Sequence, residues 1–460
     1  MLELIAKRRR TRSRSISAGA ALGGVGCLAC VGVGLALAAS GDFDRSFSED
    51  GIAKTGFGPG GHGAGFANAV AVQPNDRIVI AGATKSGDFG LARFRSNGKL
   101  DRSFGDNGTV RVHLGESSGA EDVAVRRDGG IVVVGDVVVG GRIVIAVARL
   151  RPSGELDPSF GTGGKSIVDP FDPSTETWRE LNLALGCSGE IVIGGTGSVS
   201  GPVNSPGFVV RLEPDGDLDP SFADGGLKTI DLAPGTMGSG STSVYQVIPD
   251  RRGRIAAAVT ADVVSEDDAP YVRAWMVRLR SNGDYDPSFS GDGRKRVLGR
   301  YSTLFSVAAA PHGRLAAAGR AGDGILVTRV KDSGAFDRSF AGDGVKTTKL
   351  GIRGSNVGAV GALDVMVQRN GKPLVAGVFQ LNFTRGAAVV ARFRPNGDLD
   401  QSFSGDGKKV YRRLSREHPA FWDAGMQDNG KILLSGDTGG SPPKAYVARL
   451  RNRGRPFLAP

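Results

Sequence analysis

The tetrapeptide Asp-x-Ser-Phe occurs seven times in this 460-residue chain, and each copy is followed by turn residues that end in glycine. The copies begin at Asp44, Asp101, Asp157, Asp219, Asp286, Asp337 and Asp400, at spacings of 57, 56, 62, 67, 51 and 63 residues. A long and regular period indicates a repeat protein, whose units bury their apolar faces against one another. We therefore expect one domain, although this length ordinarily suggests about three.

The first repeat, from Asp44 to Asp101, predicts four short strands in up-and-down order. They are separated by turn residues and glycine-rich loops and cover residues 52–57, 69–72, 77–82 and 91–95. The third segment is rich in Ile, Val and Ala without alternation, which is typical of a strand buried on both faces. The same pattern recurs in all seven repeats.

Seven units of this kind favour an all-β fold, a seven-bladed β-propeller of four-stranded antiparallel blades. A propeller protects its sheet edges by closing into a ring. The alternative is an open β-array or solenoid, which would need capping ends that the sequence does not display. If the ring closes, Arg449 of the last repeat and Asp44 of the first should meet, because each lacks its partner within its own repeat.

Residues 1–39 predict a secretory signal peptide, which leaves residues 40–460 as the propeller domain. A basic segment precedes a nearly unbroken apolar run from Ala18 to Ala39, and small residues near Ser40 suit cleavage. The run is also barely long enough to span a bilayer, so an uncleaved anchor is the alternative. The mature protein is expected to be secreted or at the cell surface, with no other membrane contact.

Cleavage would leave a chain with a net charge of about +6 and a single cysteine, Cys187. An internal disulfide is then impossible, and stability must come from the sheet core. No Lys/Arg run in the body of the chain resembles a nucleic-acid footprint, so no nucleic-acid partner is expected.

An arginine precedes the motif by eight residues, and a turn with glycine lies between them, as in Arg93…Gly98…Asp101-Arg102-Ser103-Phe104. Together with a downstream Gly-Lys/Arg-Ile, this pattern resembles the delta-60 repeat of bacterial exported proteins over roughly residues 41–451. The resemblance implies a propeller-like β fold and an extracytoplasmic location. It implies no reaction and carries over no catalytic residue. The pattern breaks at the end, where Gly454 is not followed by the motif.

The hairpin between each arginine and its aspartate should place the two side chains opposite each other. A three-residue loop with glycine in the left-handed conformation sets this register, and opposed charges on one face of a hairpin can pair. We interpret the pairs as structural and not as a ring of catalytic carboxylates. They are Arg93/Asp101, Arg149/Asp157, Arg211/Asp219, Arg278/Asp286, Arg329/Asp337, Arg392/Asp400 and, on closure, Arg449/Asp44.

Asp, Asn or Gly stands six residues after each motif aspartate, directly before a glycine. The set is Asp50, Asn107, Gly163, Gly225, Asp292, Asp343 and Asp406. A calcium loop would need an oxygen ligand in every copy. Asp, Asn and Gly all tolerate positive φ, so we expect a type I′ turn and no metal site.

A polar residue enters each second strand in an otherwise apolar context. The seven are Asn68, Asp122, Asn182, Gln246, Ser306, Asp364 and Asp423. In equivalent blades they would form a ring that could face the central channel and bind a cation or a polar ligand. The alternative is that each one hydrogen-bonds the backbone of a neighbouring blade, as buried polar groups require.

Insertions interrupt the repeats at 169–179, 233–243, 263–275 and 414–422, and all three tryptophans, Trp178, Trp275 and Trp422, lie at or beside them. Variable loops on a rigid scaffold often bind ligands, and aromatic side chains suit sugar or protein contacts. The tryptophans are therefore candidate ligand contacts. The alternative is that they plug the junctions between blades.

Catalytic constellations are missing from the sequence. The four histidines are scattered, and no pair has metal-ligand spacing. The sequence thus favours a non-enzymatic scaffold, without cofactor, that binds a protein or glycan at the cell surface through one face. A metal-assisted hydrolase or lyase that uses the polar ring is one alternative, and a purely structural surface repeat is another.

Overall fold

The described part of the chain consists almost entirely of β-strands. The computed structural model describes residues 39–169, 175–199, 205–232, 240–263, 271–350, 360–382, 385–412, 420–438 and 441–457. In these ranges 28 strands form seven four-stranded antiparallel sheets. The predicted signal segment lies outside them. None of the described residues forms a helix that is long and apolar enough to cross a membrane.

The first four blades are continuous in sequence, and in each the strands follow one another from the inner to the outer position. Blade 1 contains β2 (Phe66–Val72), β3 (Ile78–Ala83), β4 (Phe89–Phe94) and β5 (Thr109–Val112). Blade 2 contains β6 (Ser118–Val125), β7 (Ile131–Val139), β8 (Arg142–Leu150) and β9 (Lys165–Val168). Blade 3 contains β10 (Thr175–Leu185), β11 (Ile191–Val199), β12 (Gly207–Leu212) and β13 (Leu227–Ile230). Blade 4 contains β14 (Ser241–Pro249), β15 (Ile255–Val263), β16 (Tyr271–Leu279) and β17 (Arg294–Arg296).

The remaining blades follow the same order until the last one. Blade 5 contains β18 (Ser302–Ala310), β19 (Arg314–Ala321), β20 (Gly324–Val330) and β21 (Val345–Thr348). Blade 6 contains β22 (Val360–Val367), β23 (Pro373–Asn382), β24 (Arg385–Arg392) and β25 (Lys408–Tyr411). Blade 7 contains β26 (Ala420–Met426), β27 (Ile432–Asp437), β28 (Ala445–Leu450) and, as its outer strand, β1 (Ile52–Thr55). A short 3-10 turn, Pro59–Gly61, follows β1.

A blade is therefore not identical with a sequence repeat. Each sheet takes three strands from one repeat and its outer strand from the next, so blade 7 is completed from the other end of the chain. Strand β1 pairs with β28 in the register Ile52↔Ala448 to Thr55↔Ala445. The predicted seven-bladed propeller is confirmed, and the open-array alternative is wrong.

The core lies between neighbouring blades. The second strand of a sheet is buried almost throughout, as in β3 and β27, which agrees with its unalternating apolar sequence. All seven motif phenylalanines are fully buried: Phe47, Phe104, Phe160, Phe222, Phe289, Phe340 and Phe403. Phe104, for example, joins a cluster that contains residues of both blade 1 and blade 2. Burying each phenylalanine contributes about 1.5–3 kcal/mol.

The strand order gives the propeller two distinct faces. The motif face carries the turns between first and second strands and the connections, with Asp-x-Ser-Phe, between third and outer strands. The insertion face carries the connections between second and third strands and those between one blade and the next. The strand ends that flank the internal gaps between the described ranges all lie on the insertion face. Most of the predicted insertions fall in these gaps.

A β-bulge interrupts the first strand of every blade near the insertion face. The ladder to the second strand skips one residue in six blades and two residues in blade 3. The bulge residues are Asn68, Glu121, Glu180 with Leu181, Tyr245, Phe305, Leu363 and Trp422. Bulges re-aim side chains and are common next to functional sites.

The turn before the outer strand differs from the expected type I′ turn in four of seven copies. Positive φ occurs at the predicted position in Asn107, Gly163 and Gly225. In the other four copies it lies one and two residues earlier, as at Ser290 (59°) and Gly291 (90°). The aspartates at the predicted position are instead used through their side chains, since each accepts a hydrogen bond from the N–H two residues later. These aspartates are Asp50, Asp292, Asp343 and Asp406.

Candidate functional site

The seven predicted arginine–aspartate pairs are all present on the motif face. Their Nε to Oδ2 distances are 2.9 Å (Arg93/Asp101), 2.8 Å (Arg149/Asp157), 2.7 Å (Arg211/Asp219), 2.7 Å (Arg278/Asp286), 2.8 Å (Arg329/Asp337), 2.8 Å (Arg392/Asp400) and 3.0 Å (Arg449/Asp44). The backbone N–H of Asp101 donates to the carbonyl of Arg93 at 2.8 Å, as the predicted hairpin register requires.

The remaining motif residues complete this arrangement. The serine hydroxyl donates to Oδ1 of the aspartate two residues earlier, at 2.6–2.8 Å in the seven copies. The guanidinium lies 4.5–5.1 Å from the centre of the phenylalanine ring, which is within cation–π range. The arginine also reaches the next blade, because Arg149 donates to the carbonyl of Pro214 and Arg449 to that of Ser96. The Asp, Ser and Phe side chains of the motif thus all make contacts within the propeller.

A second basic residue, whose role the sequence pattern did not reveal, approaches the motif aspartate in four blades. It stands at or just before the start of the second strand, and the contacts are Arg77–Asp101, Arg314–Asp337, Lys372–Asp400 and Lys431–Asp44 at 2.7–3.3 Å. In the sequence, this residue is recognisable as the basic residue of the Gly-Lys/Arg-Ile segment or of its equivalent before the second strand. Its proximity to a motif aspartate follows only from the folded blade.

Six of the seven predicted ring residues occupy equivalent positions, directly after the bulge of the first strand. They are Asp122, Asn182, Gln246, Ser306, Asp364 and Asp423. Asn68 does not, because it is itself the bulge residue of blade 1, and Ala69 takes the equivalent place. The sequence carried a signal for this, since Asn68 precedes the first residue of its apolar second-strand segment, Ile78, by ten residues, whereas the other six precede the equivalent residue by nine. The Asn68 amide donates to the carbonyl of Ala120 in blade 2 at 2.8 Å.

The ring side chains hydrogen-bond the first strand of the following blade. The N–H of Val70 donates to Asp423 at 2.7 Å, and that of Leu183 donates to Asp122 at 2.7 Å. Three more contacts link consecutive blades: Asn182 to the carbonyl of Val244, Val307 N–H to Gln246, and Val365 N–H to Ser306, at 2.7–2.9 Å. These bonds satisfy buried backbone groups, so the ring ties the inner strands together.

The three ring carboxyls repel one another around the channel. Burial raises the pKa of Asp122 to about 7, and the charge of Asp364 adds to this effect. Burial also raises the pKa of Asp364 to about 6 and that of Asp423 well above its ordinary value. Among the described residues, no group of three or more His, Cys, Asp or Glu side chains has an arrangement that could hold a metal ion.

The bulge residues present aromatic and acidic groups at the insertion-face mouth of the channel. The rings of Tyr245 and Phe305 meet edge to face with centres 4.9 Å apart. Trp422 is 52% exposed, and its indole N–H donates to Asp437 at 3.0 Å. Because the first strands contact each other around the ring, these side chains from separate blades share one mouth.

An acidic cluster lies towards the insertion face of blades 2 and 3. It consists of Glu121, Asp122, Asp136 and Glu180. Burial raises the pKa of Glu121 to about 7, against a hydrogen bond from the N–H of Leu181, and the three neighbouring carboxylates raise it further. Burial also raises the pKa of Asp136. Glu121 and Glu180 are absent from the residues predicted from sequence, because their positions depend on where the bulges fall.

Exposed apolar side chains also collect on the insertion face. The large ones there are Phe66, Val139, Tyr301 and Trp422, which are 39–57% exposed. Ile167, 48% exposed, lies instead on the outer strand β9 of blade 2. Scattered exposed hydrophobic residues are ordinary, but four large ones on one face suit a ligand surface.

The three tryptophans have different surroundings. Trp422 is at the channel mouth. Trp275 lies on β16 and packs against the buried cluster of blades 3 and 4, so its position fits the alternative of a plug between blades. The backbone of Trp178 pairs with Gly197 in β10 and β11, and its side chain lies outside the described residues.

Comparison with known proteins agrees with this architecture. Residues 73–104, 126–160, 188–222 and 368–403 match the family described as "Domain of unknown function (DUF5122) beta-propeller". These four segments of the chain are thus similar to the repeats of a β-propeller family. No curated protein matches it in sequence.

Several solved structures resemble the propeller at low identity. Polysaccharide lyase Uly1 is 11% identical, with 90% of this chain and 97% of that chain covered and a TM-score of 0.48. A protein of unknown function from Dyadobacter fermentans is 12% identical, with 88% and 100% covered and a TM-score of 0.43. The α-L-arabinofuranosidase Arb93A of Fusarium graminearum is 11% identical, with 71% and 91% covered and a TM-score of 0.40. At these scores the likenesses carry no conclusion about activity.

Proposed function

We propose that the protein is an exported, non-enzymatic propeller scaffold that binds a glycan through its insertion face. The observation that supports this most is that the exposed Phe66, Tyr301 and Trp422 lie on the same face as the acidic cluster around Glu121. Aromatic faces pack on the apolar faces of sugar rings, and carboxylates accept hydrogen bonds from hydroxyl groups. On the motif face, in contrast, the motif aspartates and serines and their arginines bond within the propeller.

Export is part of the same proposal. The basic and apolar segment 1–39 has the pattern of a signal peptide or anchor, and the repeat resembles the delta-60 repeat of exported bacterial proteins. A surface-located scaffold would meet glycans of its own envelope or of its surroundings. A protein partner on the same face and a purely structural role are the competing outcomes of the test below.

The test compares two exposed apolar side chains of similar accessibility. We expect Trp422→Ala to weaken binding of the mature protein to a glycan panel by about tenfold, because a stacked aromatic contact contributes roughly 1–2 kcal/mol. The control is Ile167→Ala, on the outer edge of blade 2. Equal binding by both variants would refute a contact at Trp422. Binding of a protein but of no glycan would favour a protein partner on this face. Binding of neither would favour a purely structural role.

The acidic cluster favours a second candidate, a hydrolase or lyase acting on the same glycan. A carboxyl with a pKa near 7 beside other carboxyl groups can act as a general acid or base. Glu121 is the side chain that would do so. The sequence suggested that such an enzyme would use the polar ring with a metal, but the geometry offers Glu121 more directly.

The enzyme candidate makes a separable claim. If it is correct, the bound glycan is cleaved, and Glu121→Gln abolishes product formation while the affinity stays within a few-fold of wild type. Dialysis against a chelator distinguishes acid–base chemistry from a metal-assisted reaction. A glycan that remains intact after long incubation with wild-type protein would leave the scaffold as the better description.

A further inference from the structure

A second concave site lies on the motif face, opposite the proposed glycan surface. It is a cavity of about 500 Å³ between the first-to-second-strand turns of blades 4 and 5. Its apolar floor consists of Ile248, Pro249, Ala309, Ala310, Leu315 and Phe457. A volume of this size suits a small organic ligand.

The C-terminal segment forms one wall of this cavity. After β28 the chain crosses to blade 6, where the N–H of Phe457 donates to the carbonyl of Val367 at 2.7 Å and the N–H of Arg369 donates to that of Arg455 at 2.9 Å. The Phe457 ring packs against Ala310 and Val367. The floor is therefore built from blades 4 and 5 and from the C-terminal segment, which backbone hydrogen bonds hold against blade 6.

The rim of the cavity is strongly basic. Five arginines and a histidine line it: Arg251, Arg252, Arg254, Arg278, Arg314 and His312. The acidic residues of the lining are Asp250 and Asp332. Arg254 bridges the two acids at 2.7 and 3.0 Å. Arg278 and Arg314 hold the motif aspartates of their own blades.

Two guanidinium groups of the rim, those of Arg251 and Arg252, are not engaged in such contacts with other described residues. The side chains of Arg251 and Arg252 are exposed at the turn, and within the described ranges neither makes an ion pair or a hydrogen bond. The corresponding turn of blade 2 also carries two arginines, but there Arg126 pairs with Asp128 at 3.2 Å, and neither arginine lines this cavity. Blades 4 and 5 thus combine uncommitted positive charge with an apolar floor.

We propose that this cavity binds an organic anion, a carboxylate or phosphate group carried on an apolar body. Guanidinium groups recognise such oxyanions through paired, charge-assisted N–H donors. Arg251 and Arg252 would bind the anionic group at the rim, and the body would lie against Phe457 and Leu315. The inference is independent of the glycan proposal, because it concerns the other face.

The test uses phenyl phosphate, benzoate and inorganic phosphate as probes, measured by calorimetry with the mature chain at low salt. We expect phenyl phosphate or benzoate to bind more tightly than inorganic phosphate, because only they have an apolar body. The better of these two identifies the preferred anionic group. Removing both guanidiniums in Arg251→Ala/Arg252→Ala should weaken that probe by at least about fivefold. The matched control, Arg126→Ala/Arg127→Ala, removes the same charge from blade 2 and should leave affinity unchanged.

A second variant tests the floor. Phe457→Ala should weaken phenyl phosphate or benzoate several-fold and leave inorganic phosphate unaffected. The proposal is overturned if none of the probes binds in the millimolar range, or if the two double variants weaken binding equally, since that would reflect net charge alone. It is also overturned if Phe457→Ala affects all three probes alike.

Discussion

The motif aspartates and the buried carboxyls near the channel have pKa values that are shifted in opposite directions. At the motif face, burial opposes ionisation of Asp44, but hydrogen bonds from Lys431 and Ser46 and the charge of Arg449 outweigh it and lower the pKa to about 2. At the channel and the insertion face, burial dominates and raises the pKa of Asp122 and Glu121 to about 7. Paired aspartates therefore stabilise the fold when ionised, and unpaired channel carboxyls stabilise it when protonated.

This contrast gives a signed pH dependence for Glu121. Its folded-state pKa, about 7, lies above the ordinary value of 4.5, so between these values the folded state holds the proton more firmly than the unfolded state. Its stabilising contribution is complete below about pH 4.5 and is lost as pH rises through 7. Glu121→Gln should thus raise the free energy of unfolding at pH 8 by roughly 1–3 kcal/mol and change it little at pH 4.

Urea unfolding of wild type and variant at five pH values from 4 to 8 measures this. Glu155→Gln, which neutralises an exposed glutamate in a motif-face turn, is the control and should leave the pH profile unchanged. Parallel profiles for Glu121→Gln and wild type would mean that the Glu121 carboxyl is ionised in the folded protein at neutral pH.

At the scale of single elements, turn chemistry and strand periodicity determined what the sequence could predict. The hairpin register of Arg93 and Asp101 followed from a three-residue loop, and it is present in the structure. The prediction for Asn68 was one residue out of register, because a polar residue at a bulge looks in sequence like one beside it. Glu121 and the arginine-lined cavity were missed because their surroundings come from other blades.

Adjacent glycines in one connection provide a test of its backbone geometry. Gly164 has φ +91°, and an added Cβ would lie 2.7 Å from Cβ of Leu156, whereas a Cβ on Gly163, at φ +62°, would meet no atom within 4 Å. We therefore expect Gly164→Ala to destabilise by about 2–4 kcal/mol and Gly163→Ala by only about 1 kcal/mol. Gly163→Asn should be nearly neutral, because Asn107 has φ 56° at the equivalent place.

Thermal unfolding of the three variants checks this order. Similar losses for both alanine variants would show that space around Leu156 is not limiting. A loss for Gly163→Asn as large as that for Gly164→Ala would contradict the left-handed conformation of this turn.

At the scale of the whole molecule, closure of the ring was predictable because it follows from counting. Six pairs are complete within the repeats, and the two remaining members, Asp44 and Arg449, meet at 3.0 Å. The exposure of this pair was not predictable. Both side chains are almost completely buried, because the guanidinium lies over Phe47 and also reaches blade 1 at Ser96. Loss of one member of the pair should consequently cost more than the roughly 0–1 kcal/mol of an exposed pair, because it leaves the other charge buried.

A double-mutant cycle on Asp44 and Arg449 measures this closure in solution. If the ring is closed, Arg449→Ala leaves a buried carboxylate whose remaining cationic neighbours in the described part of the chain are Lys431 at 2.8 Å and Arg451 at 3.7 Å, and should cost about 2–4 kcal/mol. Combination with Asp44→Ala should recover at least about 1 kcal/mol of that loss. The cycle on Arg278 and Asp286, which lie eight residues apart within blade 4, is the reference; this pair makes the same contacts to the motif aspartate and serine, and Arg278 also pairs with Asp332 at 2.9 Å. Coupling energies of similar size for the two pairs mean that the chain ends are held as firmly as any internal hairpin. Coupling near zero for Asp44 and Arg449, beside normal coupling in blade 4, would mean that blade 7 is open in solution and that β1 does not complete it.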